Sequence, residues 1–465
     1  PTVYLDRIDT LADKLREAFA LYLAGRGPVV LLATPAVLDF RGPTAITAPA
    51  PPRRGAQVID GPLDRVLSLI NTESTRLLWQ CGAVPVQDTG LVHDVARQAG
   101  IALVDTLARP GAITGYRDGR PVPEYLGTLS SYGFSARAYQ FLHRNGRLRP
   151  PDEQCVFFLA SRIAEVNTPF PPRILERGLR VCQVSATRAH LAPFASYPIH
   201  ADVGDFLRAV RDRLEVDADV LSHRRDAIEQ AIDSTSDVIS ELPTRPMSPN
   251  YFYHQLARVI RTLIECDGYT YTGVYDVGRG GLSAVRNVPR TALGFSGWYG
   301  RALMGDAVAA IPAVALSQPG NVIAFVGDGG AALVPDIVPS LVHQIALEGV
   351  PLRGNLTIFR LVNGGHSIIR TYREAHQAAP AGHQTSVLSL IAADQEHRYG
   401  PLTVRQRRLD EVEPDRLRAE LQDIGVINLY SVVLGHNNEG DGLSLLSALG
   451  WQRDALPELA LRAAR

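Results

Sequence analysis

The sequence predicts an α/β protein made of two doubly wound parallel-sheet domains. Three observations lead there. Short apolar runs of strand length alternate with helix-length segments along most of the chain, the rhythm of strands joined by crossover helices. The runs are almost wholly apolar, as in strands covered on both faces. The two sharpest glycine turns, Gly327-Asp-Gly-Gly330 and Asn363-Gly-Gly-His366, each follow such a run directly.

Taken in order, residues 6–24 read as an amphipathic helix, with Leu11, Leu15, Phe19 and Tyr22 at helical spacing. Pro28–Ala33 is a buried strand. Arg76–Trp79, Ile101–Val104, Cys155–Ala160 and Leu179–Val184 continue the pattern, and residues 1–215 form the first, central domain. Residues 216–247 are polar, carry Pro243 and Pro246, and read as a helical linker. The second domain, 248–465, opens with a helix at Tyr251–Cys266 and a strand at Tyr269–Tyr275. Ser296–Ser317, rich in small residues, is expected to be mostly helix. Strands follow at Asn321–Val326, Leu356–Val362 and Leu429–Leu434, with a helix around Leu341–Leu347. The Pro/Ala-rich stretch 43–53 is expected to be a surface loop.

Basic and acidic residues nearly cancel, 47 against 48, which argues against a nucleic-acid or membrane surface. Lys14 is the only lysine, and the arginines form no stripe. The four cysteines are scattered without a CxxC pair, as buried thiols of a reducing compartment would be. No apolar run is long enough to span a bilayer, and no secretory leader pattern opens the sequence. A cytoplasmic protein is expected.

The chemistry is concentrated at the two glycine turns. In a parallel sheet, ligands bind beyond the carboxyl ends of the strands, so Asp328 and Asn363 are expected to share one crevice. A carboxylate, a carboxamide and a nearby carbonyl are hard oxygen donors suited to Mg²⁺ completed by phosphate oxygens and water. The glycines let a diphosphate approach the backbone, and amides at a helix start can receive it. Either turn alone is ordinary turn chemistry; the pair, in order and after two apolar strands, is far more specific.

Val326-Gly-Asp-Gly-Gly330 with Val362-Asn-Gly-Gly-His-Ser-Ile-Ile369 resembles the thiamine diphosphate motif of the pyruvate decarboxylase and acetohydroxyacid synthase superfamily. The resemblance implies Asp328, Asn363 and the carbonyl of Gly365 as metal ligands, with Gly327, Gly329, Gly330 and Ala331 facing the diphosphate. Tyr275-Asp-Val-Gly278 resembles a turn at the diphosphate end, implicating Asp276, Val277 and Gly278. Pro289–Gly297, Gly300 and Leu303-Met-Gly305 resemble the segment that holds the aminopyrimidine, implicating Ser296, Gly297 and Leu303. Met304 stands where that family places the bulky residue that bends the cofactor into a V. His366, Ser367 and Ile368 follow the metal turn. His366 is a candidate proton carrier on a substrate adduct, and a backbone-bonded turn histidine is the equal alternative. Gly27–Ala33, Glu124–Gly127, Tyr132-Gly133 and Ile199–Asp202 resemble the family's central domain.

The sequence also departs from that pattern. The separation of Asp328 and Asn363 is longer than usual in that family. Val362 replaces a second Asn, and Arg279-Gly280-Gly281 replace polar amide and imidazole side chains. Val29–Pro35 has no GxGxxG, so no flavin is inferred. The family's pyrimidine-binding domain, with its activating Glu, has no counterpart, and Glu17 is a poor substitute.

The resulting expectation is the large subunit of a split thiamine diphosphate- and Mg²⁺-dependent carboligase or decarboxylase acting on a 2-oxo acid, acetolactate synthase-like. A smaller partner subunit would carry the activating Glu, in a heterotetramer of two chains of each kind. The alternatives are a cofactor-holding regulatory subunit without turnover, and a Mg²⁺-dependent nucleotide-binding α/β protein. Arg279 is a candidate partner for phosphate or a substrate carboxylate. The polar loop His436–Asp441 is expected to be solvated.

Overall fold

The computed structural model of the protein describes residues 1–23, 29–42, 58–130, 135–163, 168–170, 172–232, 243–299, 302–335, 337–370, 391 and 393–435. Segment 43–53, Tyr132-Gly133, Gly300 and the loop His436–Asp441 lie outside the described residues. The chain divides into two compact units, Pro1–Val58 and Ile59 onward, whereas the sequence reading draws its boundaries at 215 and 248.

The first unit is a single crossover. Strand β1 (Thr2–Leu5) leads through helix α1 (Leu11–Leu23) to β2 (Val30–Ala33), which pairs parallel with β1. Val3, Leu5, Ala18 and Val37 form its small core, with Leu11 and Leu15 packed against them.

The second unit holds two sheets. The first has strands β3 (Arg76–Cys81), β4 (Ala102–Asp105), β5 (Tyr125–Thr128), β6 (Gln154–Leu159), β7 (Arg180–Ser185) and β8 (Tyr197–His200). Their order is β8-β7-β6-β3-β4-β5, all parallel. The chain builds outward from β3 in both directions, which makes the sheet doubly wound. Helix α2 (Leu63–Thr72) and helix α3 (Thr89–Ala99) bury Val66, Ile70, Val92 and Val95 against Trp79, Phe157 and Leu103 on one face. The other face buries Leu78, Phe158 and Val181 with Tyr139 and Phe141. This two-sided burial explains the near-continuous apolar runs.

Helix α4 (Pro249–Asp267) opens the second sheet's region. It starts at Ser248, whose Oγ accepts the Tyr251 amide, and stops at Gly268 in the left-handed conformation. The strands are β9 (Tyr271–Tyr275), β10 (Phe295–Ser296), β11 (Asn321–Gly327), β12 (Leu356–Val362), β13 (Gln395–Tyr399), β14 (Leu402–Leu409) and β15 (Val426–Val433). They lie in the order β10-β9-β11-β12-β15-β14-β13, parallel except where β13 pairs with β14.

One ladder of rings fixes this register. Tyr275, Phe325, Phe359 and Tyr430 are paired in sequence across β9, β11, β12 and β15. Their rings stack with centroids 5.7, 5.6 and 5.2 Å apart. A one-residue slip would send the rings to the other face, so the ladder holds the carboxyl ends of β9, β11 and β12 level. The residues that follow these ends build the site.

One expectation is corrected here, and one element had not been foreseen. Ser296–Ser317 is not one helix: residues 297–299 and 302–305 are turn and irregular, and helix α6 begins only at Asp306 (Asp306–Ser317), after Gly305 at φ 94°. The left-handed turn interrupts the run of small residues. The hairpin of β13 and β14 was absent from the sequence reading, because its strands are dominated by Gln, Glu, His and Arg, as suits a sheet edge.

The halves of the second unit are joined by a buried ion pair. Arg290, in the loop before β10, reaches Asp105 at the end of β4 with Nε–Oδ2 and Nη2–Oδ1 distances of 3.0 Å each. Thr128 Oγ donates to Asp105 Oδ1 at 2.6 Å, and the Gly111 amide donates to Oδ2 at 2.6 Å. Both charges are buried, so these bonds offset their desolvation.

Candidate functional site

The order of the second sheet reverses between β9 and β11: the chain goes from β9 to β10 on one side and from β11 to β12 on the other. Such a switch point opens a crevice beyond the strand ends. A cavity of about 420 Å³ lies there. Val277, Gly278 and Arg279 follow β9, Asp328 and Gly329 follow β11, and Asn363, Gly365 and His366 follow β12; all of them line it.

Asp328 ties the floor together. Its Oδ1 accepts the Gly329 amide at 2.9 Å, and its Oδ2 accepts the amides of Gly364 at 2.9 Å and Gly365 at 3.1 Å. Asn363 Oδ1 accepts the same Gly365 amide at 3.3 Å, while its Nδ2 donates to Ser367 Oγ at 2.7 Å. A carboxylate oxygen and a carboxamide oxygen therefore converge on one N–H. Gly364 makes this possible, with φ 77°, a conformation that L side chains rarely adopt. Burial pushes the Asp328 carboxyl above its ordinary pKa, and the three amides partly offset that.

The wall opposite is the start of helix α5 (Arg279–Asn287), entered through Gly278 at φ 133°. Tyr253 Oη donates to the Gly280 carbonyl at 2.7 Å and fixes this first turn. Arg279 is buried and contributes its side chain to the cavity wall. Met304, Trp298 and Ile368 make the remaining wall apolar. Gly329 could carry no side chain here: a Cβ would lie 2.6 Å from His366 Cε1 and 3.2 Å from Met304 Sδ.

Of the residues singled out by sequence, Val277, Gly278, Met304, Gly327, Asp328, Gly329, Gly330, Asn363, Gly365, His366, Ser367 and Ile368 all line this cavity. Five others have different surroundings. Asp276 is buried beneath the floor; its Oδ1 accepts the Gly305 amide at 2.9 Å, and a Cβ on Gly330 would lie 2.0 Å from its Oδ2. Burial pushes the Asp276 carboxyl up to about 6, against the pull of the Gly305, Val277 and Ala307 amides. Ser296 Oγ donates to the Leu107 carbonyl at 2.7 Å, and the Gly297 amide donates to the Tyr275 carbonyl at 2.9 Å, so both secure the loop. Leu303 is exposed. Ala331 borders a separate hollow beside Val326 and Val334. Trp298, Ala302 and Leu361 are wall residues that the sequence reading missed; the aromatic in the motif's Gly297–Trp298 step was the available signal for the first.

Among the described residues, no cluster of three or more His, Cys, Asp or Glu side chains could hold a metal. A cation at this site would rest on one carboxylate, a carboxamide and a carbonyl, with phosphate and water oxygens completing the shell, which is a donor set of the Mg²⁺ kind. The residues present thus fit a metal-bridged diphosphate. Among the described residues, no helix is long and apolar enough to cross a membrane.

Comparison with known proteins agrees with this division of the chain. Residues 62–231 match the family model described as the biosynthesis protein PigD third domain, and residues 240–436 match the PigD C-terminal domain. Two curated relatives are similar over nearly the whole chain. The protein named thiamine diphosphate dependent-3-acetyloctanal synthase PigD from Serratia sp. (strain ATCC 39006) is 44% identical over 99% of this chain and 54% of its own length. The protein of the same name from Serratia marcescens is 43% identical over 98% of this chain and 52% of its own length. The chain spans about half the length of the curated relatives it matches.

Proposed function

We propose that this chain is the diphosphate- and metal-holding half of a thiamine diphosphate-dependent synthase of the PigD type, an enzyme that joins an acyl unit to a second carbon skeleton. The observation that carries the reading is the Asp328 carboxylate bonded to the Asn363–Gly365 turn, on the floor of a glycine-lined cavity at the sheet's switch point. When bound there, thiamine diphosphate supplies the electron sink for making and breaking bonds at a carbonyl carbon.

In this reading the chain's own residues divide the work. Asp328, Asn363 and the Gly365 carbonyl hold Mg²⁺. Gly329 and Gly330 leave room for the diphosphate, and Arg279 with the α5 amides offsets its charge. Met304 and Ile368 form an apolar flank that excludes water and holds the ring system. His366, beside Gly329 and Met304, accepts or returns a proton at the substrate oxygen through its imidazole.

The donor we infer is a 2-oxo acid that loses CO₂. The acceptor is an α,β-unsaturated aldehyde with an apolar chain, by similarity to relatives named for 3-acetyloctanal: the acyl unit bonds to C3 as the C2=C3 double bond breaks, and a proton is taken up at C2. An acetolactate synthase-like acceptor, a second small 2-oxo acid, is the other outcome to test. The carboxylate that activates the cofactor comes, in this proposal, from outside these 465 residues. A smaller partner subunit is one source. The relatives favour the other, a further segment of the same polypeptide, since this chain spans only 54% and 52% of them.

Titration calorimetry tests the cofactor assignment: thiamine diphosphate with Mg²⁺ should bind the chain, and ATP with Mg²⁺ should not. Preference for the nucleotide would overturn it. Assaying pyruvate with a medium-chain 2-enal, against pyruvate alone, on the protein with its activating half then separates the two acceptors.

A further inference from the structure

The first unit has an unfinished sheet. Among the described residues, β1 and β2 pair only with each other, and a two-stranded sheet is marginal on its own. The two strands differ in character. β1, Thr2-Val-Tyr-Leu5, buries Val3 and Leu5 under α1 and turns Thr2 and Tyr4 outward. β2, Val30-Leu-Leu-Ala33, is wholly apolar, yet Val30, Leu31 and Leu32 are 51%, 46% and 46% exposed. An all-apolar parallel strand belongs inside a sheet covered on both faces. The hydrogen bonds show which backbone groups of β2 face outward, and its apolar composition distinguishes this edge from that of β1. The amides of Val30 and Thr34 donate to Pro1 and Leu5; by the alternation of a strand, those of Leu31 and Ala33 point away from β1.

We infer that residues 1–42 are the closing strand–helix–strand unit of a further parallel α/β domain, in which β1 is the edge strand and β2 an interior strand. The outer edge of β2, with the open face of Tyr4, Val30 and Leu32, receives a parallel strand and covering helix from that domain. Three findings identify the occupant as an α/β domain rather than a second copy of this chain. The contacts divide the chain after Val58. The third-domain match begins only at residue 62. The likeness to the Serratia sp. relative nonetheless spans 99% of this chain and only 54% of that protein, which leaves about a domain or more of unmatched sequence to complete the sheet. This inference rests on the proposed function in one respect only: it identifies the occupant as the domain that supplies the activating carboxylate.

Amide hydrogen exchange at single-residue resolution tests it. The samples are the isolated 465-residue chain and the protein purified by a tag at its natural locus, with intact mass recording whatever precedes or accompanies the chain. Leu31 and Ala33 should exchange rapidly in the isolated chain and at least about 100-fold more slowly in the natural protein. Leu32→Asp should leave the melting temperature of the isolated chain almost unchanged and lower that of the natural protein clearly. Equal exchange in both samples would overturn the inference. So would slow exchange in a monomeric isolated chain, or protection that appears only as the isolated chain dimerises. Binding of thiamine diphosphate by the isolated chain is measured alongside. It depends on residues from Val277 to Ile368, so its loss would refute the cofactor reading without touching the sheet.

Discussion

Replacing Asp328 probes the site's floor, and two substitutions separate its two jobs. Without cofactor, the carboxylate accepts three backbone amides, from Gly329, Gly364 and Gly365. Bonds to a charged acceptor contribute about 1.5–3 kcal/mol each. They share one carboxylate and border a cavity that water can enter, so Asp328→Ala should destabilise the protein by about 3–5 kcal/mol rather than by the full sum. Asp328→Asn keeps one oxygen in place and should cost about 1–2 kcal/mol. Cation binding follows the charge instead. Either substitution removes the only carboxylate among the described residues that line the cavity, so Mg²⁺-dependent binding of thiamine diphosphate should weaken by about 100- to 1,000-fold, or about 3–4 kcal/mol.

The assay pairs thermal melts of the cofactor-free variants with calorimetric titration of thiamine diphosphate at fixed Mg²⁺. The pH dependence adds a second test. Burial holds the Asp328 pKa above its ordinary value, so proton and cation compete for it. Affinity in the parent should fall as pH falls toward the carboxylate range, and this fall should be absent in Asp328→Asn. If Asp328→Asn bound the cofactor with parental affinity and Mg²⁺ dependence, the assignment of Asp328 as metal ligand would be wrong.

Three further substitutions give distinct signatures. Asp276 has its folded pKa raised from 3.8 to about 6, so its contribution to stability is complete below about pH 4 and is lost as pH rises through about 6, up to about 3 kcal/mol. The stability of the parent relative to Asp276→Asn should therefore decline from pH 4.5 to 7, and a pH-independent difference in chemical denaturation would contradict it. Met304→Ala should still bind cofactor but turn over more slowly in the protein with its activating half; unimpaired turnover of the bound fraction would remove Met304 from the site. Arg290→Met leaves the buried Asp105 charge without its partner and should cost about 3–5 kcal/mol by urea unfolding, while the double variant Asp105→Leu, Arg290→Met should recover part of that loss.

Which parts of this were legible in the sequence follows from how each is encoded. The apolar strands of both large sheets could be read because a parallel strand buried on two faces has to be apolar throughout. The floor of the site could be read because Asp328 and Asn363 stand immediately after such strands, and topology brings parallel strand ends to one side. The aromatic ladder was not legible. Tyr275, Phe325, Phe359 and Tyr430 are far apart in sequence, and only strand order makes them neighbours. Asp276 and Ser296 were read as ligands of the cofactor because they belong to matching motifs. The structure gives Asp276 the Gly305 amide and Ser296 the Leu107 carbonyl. A motif records which residues accompany a site, and only the fold shows which of them border the cavity.

The first unit shows the same limit at the scale of domains. A strand, a crossover helix and a parallel strand look alike whether they begin one domain or end another, because the apolar pattern reports burial and not the partner that provides it. The sequence reading therefore joined residues 1–42 to the central domain. The difference appears only as unfulfilled burial: β2 has the composition of an interior strand and the exposure of an edge. Exposed apolar surface of this kind is costly in water, and four residues of strand cannot offset it with a core of four buried side chains.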